Sequence, residues 1–328
     1  MKNNSCIYTD MTLELRDIVL KETESASIIG VESDEYDAFD MNITWVKITN
    51  ENGEKALGKP IGNYITMESS ALREGDMDAH ENAIKAMVDI IGKIHNLEKG
   101  QTVLIIGLGN RDVSPDALGP KVVSKLLITR HIKENLPDAL CDNVRPVAAL
   151  APGVMGITGI ETFETVAGLV ERVKPDLVIA IDALASRSTE RINSTIQIAD
   201  TGISPGAGVG NKRKTLCKET LGVKVISIGV PTVVDAATLA SDTIDRIIED
   251  MIDKCDNGSL FYSMLKGLSG DQKYAMIVEM LGPYGGNMFV TPKNVDSVID
   301  RLSNIIANAL NIALHPGLCK DDINRYVY

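Results

Sequence analysis

VLIIG at residues 103–107 and LVIAI at residues 177–181 decide the fold. Each is a short and wholly apolar run, which is typical of a strand that is buried on both faces. Further strands are predicted at 43–48, 64–67, 144–150, 195–199 and 223–229, and helices at 80–97, 119–133, 161–173, 235–251 and 294–314. Because strands and helices alternate over residues 100–251, the sequence predicts an α/β fold, a three-layer sandwich around a largely parallel sheet.

Composition excludes several classes of protein. The 328 residues carry 45 acidic against 33 basic side chains, a net charge of −12, which argues against a dedicated nucleic-acid binder. The longest apolar runs are too short to span a membrane, so no membrane partner is expected. The five cysteines are scattered and form no CxxC pair, which favours a reduced, cytoplasmic setting over a disulfide or thiolate-metal framework.

The acidity is concentrated at the start of the chain. Residues 1–40 hold ten Asp or Glu and only three Lys or Arg. They are predicted to be irregular, and the only boundary suggested by the sequence lies near residue 41. An acidic segment of this kind is either solvated or covers a site.

Two aspartates follow the strands that decide the fold. Asp116 lies in the loop after residues 103–107, just before the next helix, and Asp182 comes directly after residues 177–181. Ligands bind open α/β sheets at this carboxyl edge, where a neighbouring pair of carboxylates shift each other's pKa and can divide acid and base roles. Two structural interpretations stay open: Asp116 as a helix cap, and Asp182 bonded to backbone amides.

Other patterns carry less weight. Asp200 opens a DTGIS pentapeptide typical of pepsin-like proteases, but those are β-rich and need two copies, so a turn or supporting role is favoured. Residues 204–214 are rich in glycine and end in three cations, which can bind an acidic peptide or simply be solvated; the Gly-Lys-Ser/Thr of a P-loop is missing. None of the four histidines lies in the loops of the aspartates, so a histidine-assisted metal site is not predicted, whereas a metal site of two carboxylates stays open; no cofactor is predicted.

Six motifs in this order resemble the germination protease family of endospore-forming bacteria, from about residue 8 into the C-terminal region. They are TDMTLELRDIV, IIGLGNRDVSPDALGPKVV, LAPGVMGITGIET, VIAIDALASRS, STIQIADTGISPGAGVGNKRK and IGVPTVVDAAT. The resemblance implies a core similar to that of the maturation proteases of nickel–iron hydrogenases. It also implies a homotetrameric endopeptidase of the spore core that is made as a self-processing zymogen and degrades small acid-soluble spore proteins.

The resemblance also assigns roles to residues. Asp116 and Asp182 match the catalytic aspartates of the family, and because the histidine that completes the metal site of the hydrogenase proteases has no match, a metal-free water mechanism is favoured. The family cuts between an acidic and an apolar residue, which predicts cleavage at Asp10–Met11, with Glu14–Leu15 as the second choice. The chain then divides into a propeptide, 1–10, and a single α/β catalytic domain, 11–328, with N-terminal and C-terminal additions.

The loops at the predicted site supply further candidates. Backbone amides of the turn at 107–110 or of the glycine loop are predicted to stabilise the oxyanion, and two cations are predicted to recognise the acidic residue before the cut. These candidates are Gly109, Asn110, Gly206, Gly208, Lys212 and Arg213. Two other functions stay open: a metal-dependent carboxylate protease of the hydrogenase-maturation type, and a non-enzymatic protein that binds an acidic peptide.

Overall fold

A computed structural model describes residues 9–98, 100–132, 144–206, 213–254, 277, 279–280, 288–315 and 317 of the chain. Nine strands form one sheet: β1 (Val31–Ala38), β2 (Met41–Ile48), β3 (Gly62–Glu68), β4 (Val103–Gly107), β5 (Val147–Leu150), β6 (Leu177–Ser186), β7 (Thr195–Ala199), β8 (Lys224–Asp235) and β9 (Phe289–Val290).

Ten helices accompany the sheet within the described part of the chain. They are α1 (Thr12–Thr23), α2 (Glu51–Leu57), α3 (Ala71–Glu74), α4 (Met77–Ile94), α5 (Leu118–Val123), α6 (Met155–Thr158), α7 (Thr162–Val173), α8 (Lys218–Leu221), α9 (Ala236–Lys254) and α10 (Val295–Leu314). A 3₁₀ turn at Ser114–Asp116 precedes α5. Among these described helices, none combines the length and apolarity that crossing a membrane requires.

The order of the sheet is β1-β2-β3-β7-β8-β6-β4-β5, with β9 beside the end of β8. The four strands β5, β4, β6 and β8 are parallel to one another, and the remaining pairings are antiparallel. The parallel part contains both apolar runs that predict the fold. The antiparallel part begins with a tight hairpin, in which Phe39 and Asp40 have φ values of 56° and 55°, as the twist of paired strands favours.

Alternate residues of the central strands pack on opposite faces of the sheet, which explains why these strands are apolar throughout. On β4, Val103 and Ile105 join the cluster that contains α4, α5 and α10, whereas Leu104 and Ile106 join the cluster that contains α7 and α8. Helices α1 and α2 cover the latter face beside β2 and β3. The predicted three-layer α/β fold is therefore confirmed.

One predicted helix is too long. The helix expected over 119–133 ends at Val123 in α5, and residue 133 lies outside the described residues. Four residues further on, the Leu127 amide donates to the Asn311 side-chain oxygen, 2.9 Å away on α10. A side chain from another helix thus replaces the carbonyl partner that a continuing helix would have supplied.

The prediction that residues 1–40 are irregular is wrong for half of their length. Residues 12–23 form α1, and β1 pairs with β2 along its whole length, so no boundary falls near residue 41. β1 could not be recognised from the sequence because it is largely exposed and acidic and lacks the apolar alternation of a half-buried strand. The first residues of α1, by contrast, are buried: Thr12, Leu13 and Glu14.

Candidate active site

Asp116 and Asp182 meet at the carboxyl edge of the parallel strands. Asp182 lies within β6, and the Leu108 amide at the end of β4 donates to the carbonyl of the preceding residue, Ile181, at 2.8 Å. The loop that leaves β4 then returns through the 3₁₀ turn that carries Asp116. Both carboxylates line one cavity of about 320 Å³. The predicted juxtaposition is therefore present.

Asp116 is held by the loop that carries it. Its Oδ2 accepts a hydrogen bond of 2.7 Å from the Asn110 amide. Gly109, at φ +105°, allows this close approach, because a Cβ there would collide with the Asp116 backbone oxygen. Helix α5 begins after Ala117 without a side-chain cap, so the helix-cap interpretation is wrong. The Asn110 amide positions Asp116, whereas the sequence predicted an oxyanion donor there.

Asp182 is a buried carboxylate with little support for its charge. It is only 5% exposed, and the Ala183 amide donates to its Oδ1 at 2.9 Å. Burial, followed by the charges of Asp116 and Asp10, raises its pKa well above the usual range. Burial also raises the pKa of Asp116, which the Asn110 hydrogen bond opposes. The pair therefore favours a proton on Asp182 and a charge on Asp116.

The N-terminal segment runs through this site. The Asp10 amide donates to the Ala185 carbonyl at 2.9 Å, and the Ala185 amide donates to Asp10 Oδ2 at 3.0 Å. The Gln197 side chain donates to the Asp10 carbonyl at 3.4 Å. Met11, the next residue, is fully buried. Asp10 thus lines a cavity together with Asp182, while residues 1–8 of the predicted propeptide lie outside the described part.

Glu14 anchors the same segment further along. It is 3% exposed, and its two carboxylate oxygens accept hydrogen bonds from the Arg187 amide at 2.7 Å and the Ser188 amide at 3.0 Å. The guanidinium of Arg191 lies 3.3 Å from the same carboxylate and also pairs with Glu68 at 2.8 Å. The acidic start of the chain is therefore docked against the protein by specific donors.

A second cavity of about 220 Å³ adjoins the first, and Asp10 and Asp182 line both. Lys59, in the segment between α2 and β3, also lines the second cavity. Burial lowers the pKa of Lys59, and the charge of Asp10 opposes that effect. Sequence reasoning missed Lys59 because it belongs to a short connecting segment without a motif, and only the fold brings it to Asp10.

The glycine loop is described in part. Gly206 lines both cavities, and Arg213 lines the cavity of Asp116, with its guanidinium 3.4 Å from the sulfur of Met155. Gly208 and Lys212 lie outside the described residues. The oxyanion and recognition roles of these four residues stay predictions.

Asp200 has a structural role, as the sequence favoured. Its two carboxylate oxygens accept hydrogen bonds from the backbone and side-chain nitrogens of Asn63, both at 2.8 Å. These contacts tie the end of β7 to the start of β3. Among the residues that the structure describes, no group of three or more His, Cys, Asp or Glu side chains is arranged to hold a metal ion.

Fold and site together define a class: an α/β protein whose carboxylate-lined cleft holds the N-terminal segment of its own chain. The cleft binds that segment through backbone hydrogen bonds and through its acidic side chains. Two carboxyl groups with raised pKa values line a cavity that Asp10 of this segment also lines, and such a pair can supply the acid and the base of a hydrolysis.

Comparison with known proteins identifies the family. The family model for the germination protease matches residues 9–259 and 248–327. The germination protease of Clostridium tetani is 49% identical over 321 residues, 98% of this chain and 99% of that protein. The germination protease of Bacillus pumilus is 42% identical over 359 residues, 98% of this chain and 96% of that protein. The chain belongs to the germination protease family and is a peptidase.

Proposed function

We propose that the chain is an endopeptidase made as a zymogen, which cuts its own Asp10–Met11 bond with the Asp116–Asp182 pair. The observation that carries this proposal is the docking of Asp10 in the cleft, with its amide and carboxylate bound to Ala185 and its carbonyl bound to Gln197. A segment held in this way is presented to the two carboxyl groups as a substrate would be.

The proposed mechanism divides the chemistry between the two aspartates. Asp116, ionised, takes a proton from a water molecule whose oxygen attacks the Asp10 carbonyl carbon. As the carbon–nitrogen bond breaks, Asp182, protonated, gives its proton to the Met11 nitrogen. The raised pKa of Asp182 supports its role as the acid, and the Asn110 hydrogen bond supports the charge on Asp116. Return of the proton from Asp116 to Asp182 restores the starting state.

Recognition of an acidic residue before the cut is the second part of the proposal. The Ala185 amide binds the Asp10 carboxylate directly, and Lys59 supplies a positive charge in the same cavity. Arg213, which the sequence favoured, lines the neighbouring cavity and is the alternative cation. We assign the role to Lys59 because it lines the cavity that Asp10 shares with Gln197, the residue that contacts the Asp10 carbonyl.

The test is the intact mass of the purified chain, followed over time beside Asp182→Asn, Asp116→Asn and Asp200→Asn. The first two variants remove the proposed acid and base, while the third changes a carboxylate that ties β7 to β3. We expect loss of residues 1–10 in the unchanged chain and in Asp200→Asn only. Processing at normal speed in either of the first two variants would reject the aspartate pair, and inhibition by a chelator would favour a metal-dependent protease instead.

The biological setting extends the same proposal. The substrates are small acid-soluble spore proteins, the location is the spore core, and the enzyme is a homotetramer. Family membership supports the link to spore germination. Exposed apolar side chains around α6, such as Ile157 at 66% and Ile160 at 49%, are suited to contacts between subunits. Cleavage of a purified small acid-soluble protein and light scattering on the intact enzyme test the two statements.

A further inference from the structure

We infer that Gln197 binds and polarises the carbonyl of the bond that is cut, and so acts as the oxyanion donor of this peptidase. This inference deepens the proposed function and rests on it. Gln197 takes the place of the Asn110 amide as the predicted oxyanion donor, because the Asn110 N–H donates to Asp116. It also assigns a role to a residue that lies within the quoted motif at 194–214 but was given no role by the sequence.

Gln197 spans the Asp10–Met11 bond with both ends of its side-chain amide. Its nitrogen lies 3.4 Å from the Asp10 carbonyl oxygen, and its oxygen accepts from the Thr12 amide at 2.8 Å. The Thr12 N–H is only a donor, so the atom that faces it must be the oxygen. The nitrogen of Gln197 is thereby directed at the Asp10 carbonyl, and the assignment does not depend on an arbitrary choice of rotamer.

The sheet places Gln197 in register with the aspartate. Asp182 on β6 is level with Gly229 on β8, and Gly229 is level with Gln197 on β7. Residues level with each other on adjacent strands point to the same face, and adjacent strands lie about 4.8 Å apart. Asp182 and Gln197 therefore lie on one face of the sheet, on either side of Gly229, which has no side chain. The three residues line the same cavity, together with Asp10.

Burial makes this donor effective. Gln197 is 9% exposed, and the hydrogen bond from the Thr12 amide to its side-chain oxygen holds its nitrogen in place against the Asp10 carbonyl. A preorganised donor in a site with little water stabilises the charge that develops on the carbonyl oxygen during attack. In the tetrahedral state the Gln197 N–H donates a hydrogen bond to the oxyanion, while Asp116 accepts a proton and Asp182 donates one.

Two substitutions separate the donor from the acceptor. Gln197→Glu keeps the shape and the acceptor for Thr12 but loses the donor, and Gln197→Met loses both without adding charge. Gln101→Glu is the matched control, because Gln101 lies in the turn before β4 and its side-chain oxygen only accepts from the Glu98 amide. Each enzyme is assayed for self-processing and for cleavage of a peptide that spans residues 6–17.

We expect kcat on the peptide to fall by about 100- to 1,000-fold in both Gln197 variants, with KM and the melting temperature little changed. The control should match the unchanged chain. A kcat within threefold of normal in either variant, or a loss confined to KM, would overturn the inference. If Gln197→Met does not fold, Gln197→Glu decides by the same criterion. If the unchanged chain cuts neither itself nor the peptide, the proposed function fails instead.

Discussion

The two ends of the cleft each hold a buried carboxylate, Glu14 at one end and Asp182 at the other, and they differ in how well its charge is compensated. Glu14 receives two backbone amides and the Arg191 guanidinium, so its charge is well compensated. Within the described part of the chain, Asp182 accepts one hydrogen bond, from the adjacent Ala183 amide, and is repelled by Asp116 and Asp10. The difference indicates that the Glu14 end is built to hold the segment in place, and the Asp182 end to keep a proton available.

Activity separates the two ends most strongly. We expect Asp182→Asn to lower the rate of self-processing by about 1,000-fold or more, because an amide cannot donate the proton that the leaving nitrogen needs. Glu14→Gln should retain measurable processing, since no proton passes through Glu14. Intact mass spectrometry against time gives both rates. Equal rates in the two variants would contradict the division into a catalytic Asp182 end and a holding Glu14 end.

Recognition of the acidic residue is the next largest effect. Lys59→Met should slow processing at Asp10–Met11 by roughly 10- to 100-fold, the usual cost of losing a charge-assisted contact. Arg213→Met is the comparison, because Arg213 lines the neighbouring cavity. A larger loss of processing rate in Arg213→Met than in Lys59→Met would assign recognition of the acidic residue to Arg213, the cation that the sequence favoured.

Stability should change in opposite directions at the two ends. Glu14→Gln places an amide NH₂ against one of two backbone donors, and we expect a loss of about 1–3 kcal/mol in the free energy of unfolding. Urea denaturation of the uncleaved chain measures it. Hydrogen exchange should report faster opening of α1, and an unchanged midpoint would show that the two amides do not secure the segment.

Asp182→Asn should stabilise the protein slightly at neutral pH. The pKa of Asp182 is higher in the folded than in the unfolded chain, so the native state binds more protons and stability falls as pH rises through the folded pKa. Asn does not titrate and keeps an acceptor for the Ala183 amide. We expect a melting temperature higher by roughly 2–4 °C at neutral pH, and no difference at a pH below the unfolded pKa.

The activity of the unchanged enzyme should follow the same group. Because the acid form of Asp182 is the proton donor, kcat for the peptide should fall as pH rises through its raised pKa. A rate that increases steadily over that range would assign the proton to another group.

The sequence alone predicted the elements and site residues that have a local pattern. The wholly apolar strands β4 and β6 could be recognised because both faces are buried, and Asp116 and Asp182 stood out because a charge follows each strand. The docked start of the chain could not be recognised, because α1 and β1 carry mostly polar residues whose partners are distant.

Lys59 and Gln197 were missed for a related reason. Lys59 belongs to a connecting segment, and Gln197 lies in a strand of five residues, TIQIA, that has no catalytic pattern of its own. Each becomes a candidate only when the sheet brings it within reach of Asp10. Likewise, the acceptor of a backbone donor such as the Asn110 amide has no signal in the sequence, because the direction of the N–H is set by the turn.

The docked Asp10 also bears on what happens after the cut. Hydrolysis of the Asp10–Met11 bond creates a new carboxylate on Asp10, in a cavity that Asp116 and Asp182 already line. On the proposed mechanism the released end carries two negative groups, of which Lys59 offsets the Asp10 side chain and the new carboxylate faces the ionised Asp116, while the new amino terminus at Met11 is positive. Repulsion from Asp116 would then weaken the hold on the leaving segment and oppose religation.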